Sequence, residues 1–499
     1  MGGLPTGLAA RLAAAVTRLG GATSWCDATG MTRGGAGRWG VALVALLACN
    51  SGDPPPPELQ RLRLPTGALL TPESDWLMVT NSNLDQHEDA STLVAIDLKR
   101  LDAGLSATPQ PPGATLTAAN PCRATGDGDV APRECEAKWF IARRHALRLP
   151  SGAGNIALDR PSGVDGPLRL LIPSSIAQTV TWVDVVPADG GLSFKCGQAG
   201  EGDCDSDHVL EYLDNRPNEA HLPPDPARIF IDRGGFRYAY LPHLKGASDG
   251  DSAISLIALD AEYGPKITDI ETGFYRSDPI NSNTLAGGFA VAQRACDPTD
   301  PPADTRGCTR PLLYTTHRFW PGMRLFSVFA GGDTIIPGAD QLLVGVNPTQ
   351  SADRPFMADL EFEDPETGER LLVVHTTPPS LSLVDTRLDE DKRPVNRQIA
   401  TAALCRNPNV LAIDRPVVGE RLALVSCYSD DQVAVVGLGA FQVIATIDVD
   451  DGPNEMVIDD ARRRLYVVNT LASTIDIVAL DRLSPDFLRV VARVGLRDD

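Results

Sequence analysis

Apolar and polar positions along the chain fall into one unit that recurs seven times: a short apolar run, a polar turn, and a second apolar run ending near Asp. The clearest copy is RLYVVNTLASTIDIVALD (Arg464–Asp481), followed by RLALVSCYSDDQVAVVGL (Arg421–Leu438) and ERLLVVHTTPPSLSLVDTR (Glu369–Arg387). Looser copies begin at Trp76, Arg169, Tyr238 and Leu312. The runs are short and carry no sustained helical period, so they predict strands. A spacing of roughly 40 to 80 residues between copies built from short strands predicts a radial or solenoid β-architecture.

Each unit resolves into four strands. A small first strand ending in Asp precedes the two apolar runs, as in IALDRPSG (Ile156–Gly163), IFIDRGG (Ile229–Gly235), LAIDRPVVG (Leu411–Gly419) and MVIDDARRR (Met456–Arg464). Asp at such a turn can accept hydrogen bonds from the turn backbone, which gives these aspartates a structural expectation. LYVVN (Leu465–Asn469) exemplifies the second strand and STIDIVAL (Ser473–Leu480) the third. QVIATIDVDDGPN (Gln442–Asn454) is a fourth, edge strand running into a Pro/Gly turn. Second strands that are apolar almost throughout suit sheets buried on both faces.

The pattern resembles the YVTN-type β-propeller repeat, whose second-strand signature Tyr466-Val467-Val468-Asn469 nearly reproduces. The resemblance spans roughly Leu59 to Leu496 and implies an all-β, seven-bladed propeller of four-stranded blades. Two segments compete to be the outer strand that seals the ring. LRLPTG (Leu62–Gly67) echoes LRLPSG (Leu147–Gly152) at the end of blade one, and LRVVARVGL (Leu488–Leu496) also reads as an outer strand. The sequence leaves that choice open. Insertions are expected before the last strand of blade one (Leu101–Lys138), before the last strand of blade two (Pro187–Asp207), and between the first two strands of blade four (Arg294–Arg310). All three fall on one propeller face.

Length and composition fit one large ring, because each repeat must bury its faces against its neighbours. The 499 residues include 45 Gly and 40 Pro, which suits many turns, and carry a formal charge of −20. That charge argues against nucleic acid as a partner, since phosphate binding needs a basic surface. Before the repeats, Met31 opens a segment with Arg33 and Arg38, an apolar stretch Trp39–Leu47, and Leu46-Leu47-Ala48-Cys49. The apolar stretch is about half the ~20 residues a spanning helix needs, so residues 31–48 read as a signal peptide. The small residue before Cys resembles a bacterial lipoprotein box, which implies lipidation of Cys49 and a membrane anchor. Residues 1–30 then read as an upstream extension from a miscalled start, 49–58 as the lipidated Cys with a stiff Pro-rich spacer, and 59–499 as the propeller. Asn50 is not the Asp that resembles an inner-membrane retention signal, so the outer membrane is the expected address.

Ten Cys are present; setting aside Cys26 and Cys49 leaves eight in four close pairs. Cys122/Cys135, Cys196/Cys204, Cys296/Cys308 and Cys405/Cys427 are expected as disulfides in an oxidising envelope compartment. None has C-x-x-C spacing, so zinc and redox chemistry are disfavoured.

Candidate chemistry is sparse. His243, His317 and His375 sit at or just after the ends of second strands in blades three, four and five, a set that would suit Zn or Cu. Second strands do not line the axis, however, so rim or loop-capping histidines are the expectation and no metal or cofactor is assigned. Asp203, Asp205 and Asp207 open like a calcium loop but lack its Gly and its bidentate Glu, and Asp127-Gly128-Asp129 is shorter still. Neither a nucleophile elbow, nor a metalloprotease helix, nor a phosphate or dinucleotide loop is present. The expected role is therefore a lipid-anchored, non-catalytic module binding a protein or glycan partner. The alternative is a periplasmic propeller enzyme, a lactonase-like hydrolase or metal-dependent oxidoreductase, with carboxylates or histidines converging at the axis.

Overall fold

The computed structural model describes residues 54–126, 131–161, 167–188, 191–197, 202–233, 237–244, 253–260, 263–272, 288–294, 312–316, 322–328, 335–343, 356–390 and 394–496. The lipoprotein segment with Cys49, and with it His317, Cys296, Cys308 and Asp127–Asp129, lies outside the described residues. The chain divides into two compact units, and the one made of residues 57–84 and 90–499 holds every described strand. No helix among the described residues is long and apolar enough to cross a membrane.

Seven antiparallel sheets follow one another in chain order, each with its first four strands in sequence order, and together they form a seven-bladed β-propeller. The first strands are Pro65–Leu70, Ala157–Asp159, Phe230–Ile231, Val291–Arg294, Phe356–Phe362, Pro408–Asp414 and Pro453–Asp459. They line the axis. Second and third strands are buried on both sides, as in Leu422–Cys427 and Leu465 to Asn469. The period-two alternation of side chains then assigns each residue to one seam. Tyr466, Val468, Ile475 and Ile477 pack against blade one, while Leu465, Val467, Val478 and Leu480 pack against blade six. Outer strands alternate exposed and partly buried positions, as Arg397–Ala403 does, because only one side of each has a neighbour.

Closure follows one of the two sequence candidates, Leu488–Leu496, and not the other. Val490–Val494 is the outer strand of blade seven, and Leu62–Gly67 is no outer strand at all: it runs into Pro65–Leu70, the innermost strand of blade one. The echo between LRLPTG and LRLPSG reflects a shared connector, since Pro-Thr-Gly and Pro-Ser-Gly each lead toward an inner strand. Gly67 is required there, because a Cβ would stand 2.3 Å from the Gly154 carbonyl oxygen of the next blade.

The ring is sealed instead by the blade-one insertion. After the helix Leu98–Ser106, N-capped by the Asp97 side chain, the chain forms the hairpin Cys122–Ala124/Arg133–Cys135. Its second strand pairs in parallel with Val490–Val494, with Ala492 opposite Arg133 and Val494 opposite Cys135, and extends blade seven to six strands. The disulfide Cys122–Cys135 staples this clasp. On the opposite face Leu64 N–H donates to Ser473 Oγ at 3.1 Å and Thr470 Oγ1 donates to the Pro65 carbonyl at 2.6 Å.

Blade two also departs from expectation. Gly191–Lys195 lies inside the expected insertion, yet it pairs with Asp184–Ala188 as part of the fourth strand. Val209–Leu210 completes that strand further along the same edge, and Cys196–Cys204 staples the loop between the two pieces. Cys405–Cys427 is formed on the face opposite the insertions, joining the blade five-to-six connection to the end of the second strand of blade six.

Candidate functional site

The strand-ending acids do more than cap their own turns. Asp459 does so, accepting from Arg462 N–H at 3.0 Å. The others take donors from the following blade: Asp159 from Arg237 at 2.7 and 3.0 Å, Asp232 from Gln293 Nε2 at 2.7 Å, and Asp414 from Arg463 at 2.7 Å. Arg237 and Arg463 each stand immediately before a second strand, so the repeat itself generates a chain of blade-to-blade ion pairs. These acids are therefore ties, as a structural expectation required, but mostly through side chains of the next blade.

Four residues before Asp159, Asp232, Asp459 and Glu363, the acid that follows the first strand of blade five, lie Asn155, Arg228, Glu455 and Asp359 respectively. Even spacing along a strand keeps them on the axial side. Arg228 reaches across the axis, donating to Asp359 at 3.0 Å and bidentately to Glu455 at 3.0 and 2.8 Å, so one guanidinium joins blades three, five and seven. Burial alone would lower its pKa, but Glu455 and Asp359 hold it far above the usual arginine value. Asp359 is further fixed by the N–H groups of Leu360 and Leu411, each at 2.9 Å. Two residues further along, Glu361 accepts from Arg415 at 2.7 Å. Burial pushes the carboxyls of Glu361 and Glu455 upward, against the opposing pull of Arg415 and Arg228.

Arg228, Asp359 and Glu361 border an axial cavity of about 240 Å³, whose lining also includes Asn155, Gln293 and Arg233. The Arg233 guanidinium lies 5.4 Å from the Phe230 ring centroid. The cavity can thus offer a ligand a guanidinium, a protonatable carboxyl and amide groups. None of these residues was singled out from sequence. The signal was present, as a polar residue four positions before Asp159, Asp232, Glu363 and Asp459 though not before Asp414, but it is visible only once the strand ends are aligned.

The histidines do not converge. His243 shares the alternation of Ala239 and Leu241, which pack against blade two, whereas His375 shares that of Leu371 and Val373, which pack against blade four. His243 is fully buried, with Nε2 2.8 Å from Ser255 Oγ, and burial lowers its pKa to about 3. His375 is also fully buried; neither ring nitrogen has a partner, and burial lowers its pKa to about 4. Both are interior groups of the sheet stack rather than rim residues. The acidic loop of blade two is likewise diverted: Asp205 pairs with His208 Nδ1 at 2.8 Å and Asp203 with Arg148 at 3.5 Å. Among the described residues no group of three or more His, Cys, Asp or Glu could hold a metal.

The side chains most exposed to solvent are unevenly distributed. Tyr263, Val417, Val418 and Leu483 are each more than four-fifths exposed, while the next large apolar residue, Leu471, is 51% exposed. All four lie on first-to-second or third-to-fourth strand connections, which is the face carrying the insertions. Arg482 donates to the Glu420 carbonyl, which brings the loops of Leu483 and Val418 side by side.

No protein-family model matches this sequence, and neither does any curated protein. Solved structures do match. A periplasmic gluconolactonase of Pseudomonas aeruginosa is 12% identical, with a TM-score of 0.50 over 75% of this chain and 96% of its own. A putative 6-phosphogluconolactonase from Bacteroides uniformis is 10% identical, with a TM-score of 0.47 over 78% and 86%. A hydrazine synthase chain of Kuenenia stuttgartiensis is 11% identical, with a TM-score of 0.47 over 86% and 99%. At such identities the likeness is one of fold, and the chain is a seven-bladed propeller similar to these lactonase-type rings.

Proposed function

We propose that this chain is an envelope-located binding module, held at a membrane by lipid on Cys49, that docks a protein or glycan partner on its insertion face. The supporting observation is the concentration of Tyr263, Val417, Val418 and Leu483 on that face. Exposed apolar side chains gathered on one surface favour association, and a disulfide-stapled rim gives them a rigid frame. A photo-crosslinker at Val418 in cells should capture a discrete partner, and the same probe at Leu471 on the opposite face should not. Equal labelling at both positions would sink the reading. Metabolic labelling with a fatty acid, lost in Cys49→Ser, tests the anchor separately.

A second reading, an axial hydrolase, is favoured by one feature: the Glu361 carboxyl, raised by burial, borders the axial cavity together with Arg233. A carboxyl tuned upward is suited to acid–base work near neutral pH. Sugar lactones are the first substrates to try; turnover abolished in Glu361→Gln supports this reading, and turnover unchanged in that variant removes it.

A further inference from the structure

A second cavity, of about 270 Å³, lies where the clasp meets blade seven and has no part in either reading above. Its polar lining is Arg133 from the clasp, Arg464 from the second strand of blade seven, and Asp486 and Arg489 from the connection before its outer strand. Three guanidinium groups around one small cavity are unexpected in a chain of formal charge −20. Two are partly engaged: Arg464 donates to Asp102 at 2.5 Å, and one terminal nitrogen of Arg133 donates to the carbonyls of Leu105 and Ala107. Each guanidinium carries five N–H donors, so both retain donors, and the exposed Arg489 side chain makes no ion pair among the described residues. Asp486 borders the same cavity, and its carboxylate likewise pairs with none of the three arginines.

We propose that this cavity is an oxyanion site selective for inorganic phosphate, bridging the clasp to blade seven. Guanidinium forks match the oxygens of a tetrahedral anion, and three arginines bordering one cavity suit a multiply charged one. The carboxylate makes the choice among such anions. An ionised Asp can only accept, so its oxygen beside a bound anion is repulsive unless the ligand supplies a hydrogen. Phosphate at neutral pH keeps at least one hydroxyl and can donate it to Asp486; sulfate has none.

Calorimetric titration of the full chain, disulfides intact, in phosphate-free buffer at constant ionic strength tests the assignment. Inorganic phosphate should bind at least tenfold more tightly than sulfate. Arg489→Ala, at an exposed side chain, should weaken phosphate at least tenfold, and Asp486→Asn should erase the preference for phosphate over sulfate. Absence of phosphate binding, binding that survives Arg489→Ala, sulfate binding as tightly as phosphate to the unaltered chain, or a preference that persists in Asp486→Asn would each overturn it.

Discussion

The seam between blades six and seven and the seam between blades seven and one join the same sheet to its two neighbours by different means. The first brings together strands that follow one another in the chain. Alternating apolar side chains and the pair Asp414–Arg463 suffice there, with Asn409 and Asn454 hydrogen-bonded at 2.6 Å. The second brings together segments roughly 400 residues apart, and its closure entropy is larger. It has the same kind of apolar packing, and in addition a parallel strand pairing, a disulfide-stapled hairpin, the Asp102 bridge to Arg462 and Arg464, and hydrogen bonds from Leu64 and Thr470. The difference teaches that a propeller ring of contiguous blades needs extra fastening at one place, and here an insertion supplies it.

The largest effects should come from residues that act on the ring as a whole. Arg228→Met leaves Asp359 and Glu455 uncompensated at the axis and should cost about 3–5 kcal/mol in chemical denaturation, without selectively exposing either seam. Tyr466→Ala, at a fully buried ring on the blade-one side, should cost a similar ~3–5 kcal/mol. Hydrogen exchange separates the two, since Tyr466→Ala alone should speed exchange at Val490 to Val494. Next, Cys122→Ser with Cys135→Ser should cost about 2–4 kcal/mol. Loop length alone ranks this pair, 13 residues apart, below Cys405/Cys427, 22 apart. If the clasp seals the ring, the measured order reverses; the loop-length order would break the comparison.

A smaller effect is expected from pH. His375 titrates near 4 in the fold and near 6.5 when unfolded, so the unfolded chain binds the extra proton between those values. Stability from its burial is complete above pH 6.5 and is lost as pH falls toward 4, by about 1.4 kcal/mol per pH unit. His375→Leu should lower the slope of the unfolding free energy by that amount across the window, the contribution of His243 remaining, while leaving the two seams equally protected. Smallest of all, Asp102→Asn should cost about 0.5–1 kcal/mol, because its ion pairs are partly exposed. Its measurable signature is faster exchange in the clasp rather than lower stability.

Much of the fold was legible in the sequence because the repeat encodes it locally. Second strands such as Leu465 to Asn469 are apolar throughout, and strand ends are marked by Asp159, Asp232, Asp414 and Asp459. Blade count and strand order followed from those two signals. Closure was illegible for a physical reason: an outer strand and a connector into an inner strand share residues such as Leu-Arg-Leu-Pro, and only tertiary pairing separates them. The clasp was hidden because Arg133 to Cys135 looked like part of a stapled loop, and nothing local announces a parallel partner so distant. The axial cluster was partly readable, since Arg228, Asp359 and Glu455 share one offset from the strand-ending acids. The apparent histidine set dissolved because His243 and His375, each turned toward the preceding blade, are buried in two separate seams, between blades two and three and between blades four and five.

The parallel pairing of Arg133–Cys135 with Val490–Val494 also imposes an order of events. A ribosome delivers the hairpin about 350 residues before the strand it must grip, at ~5–20 residues per second. Until that strand arrives, its outward edge is an unsatisfied strand able to pair with any unfolded β-segment nearby. Completion of the ring is thus a terminal, all-at-once event in the life of each molecule, and the last blade is where quality control would have to look.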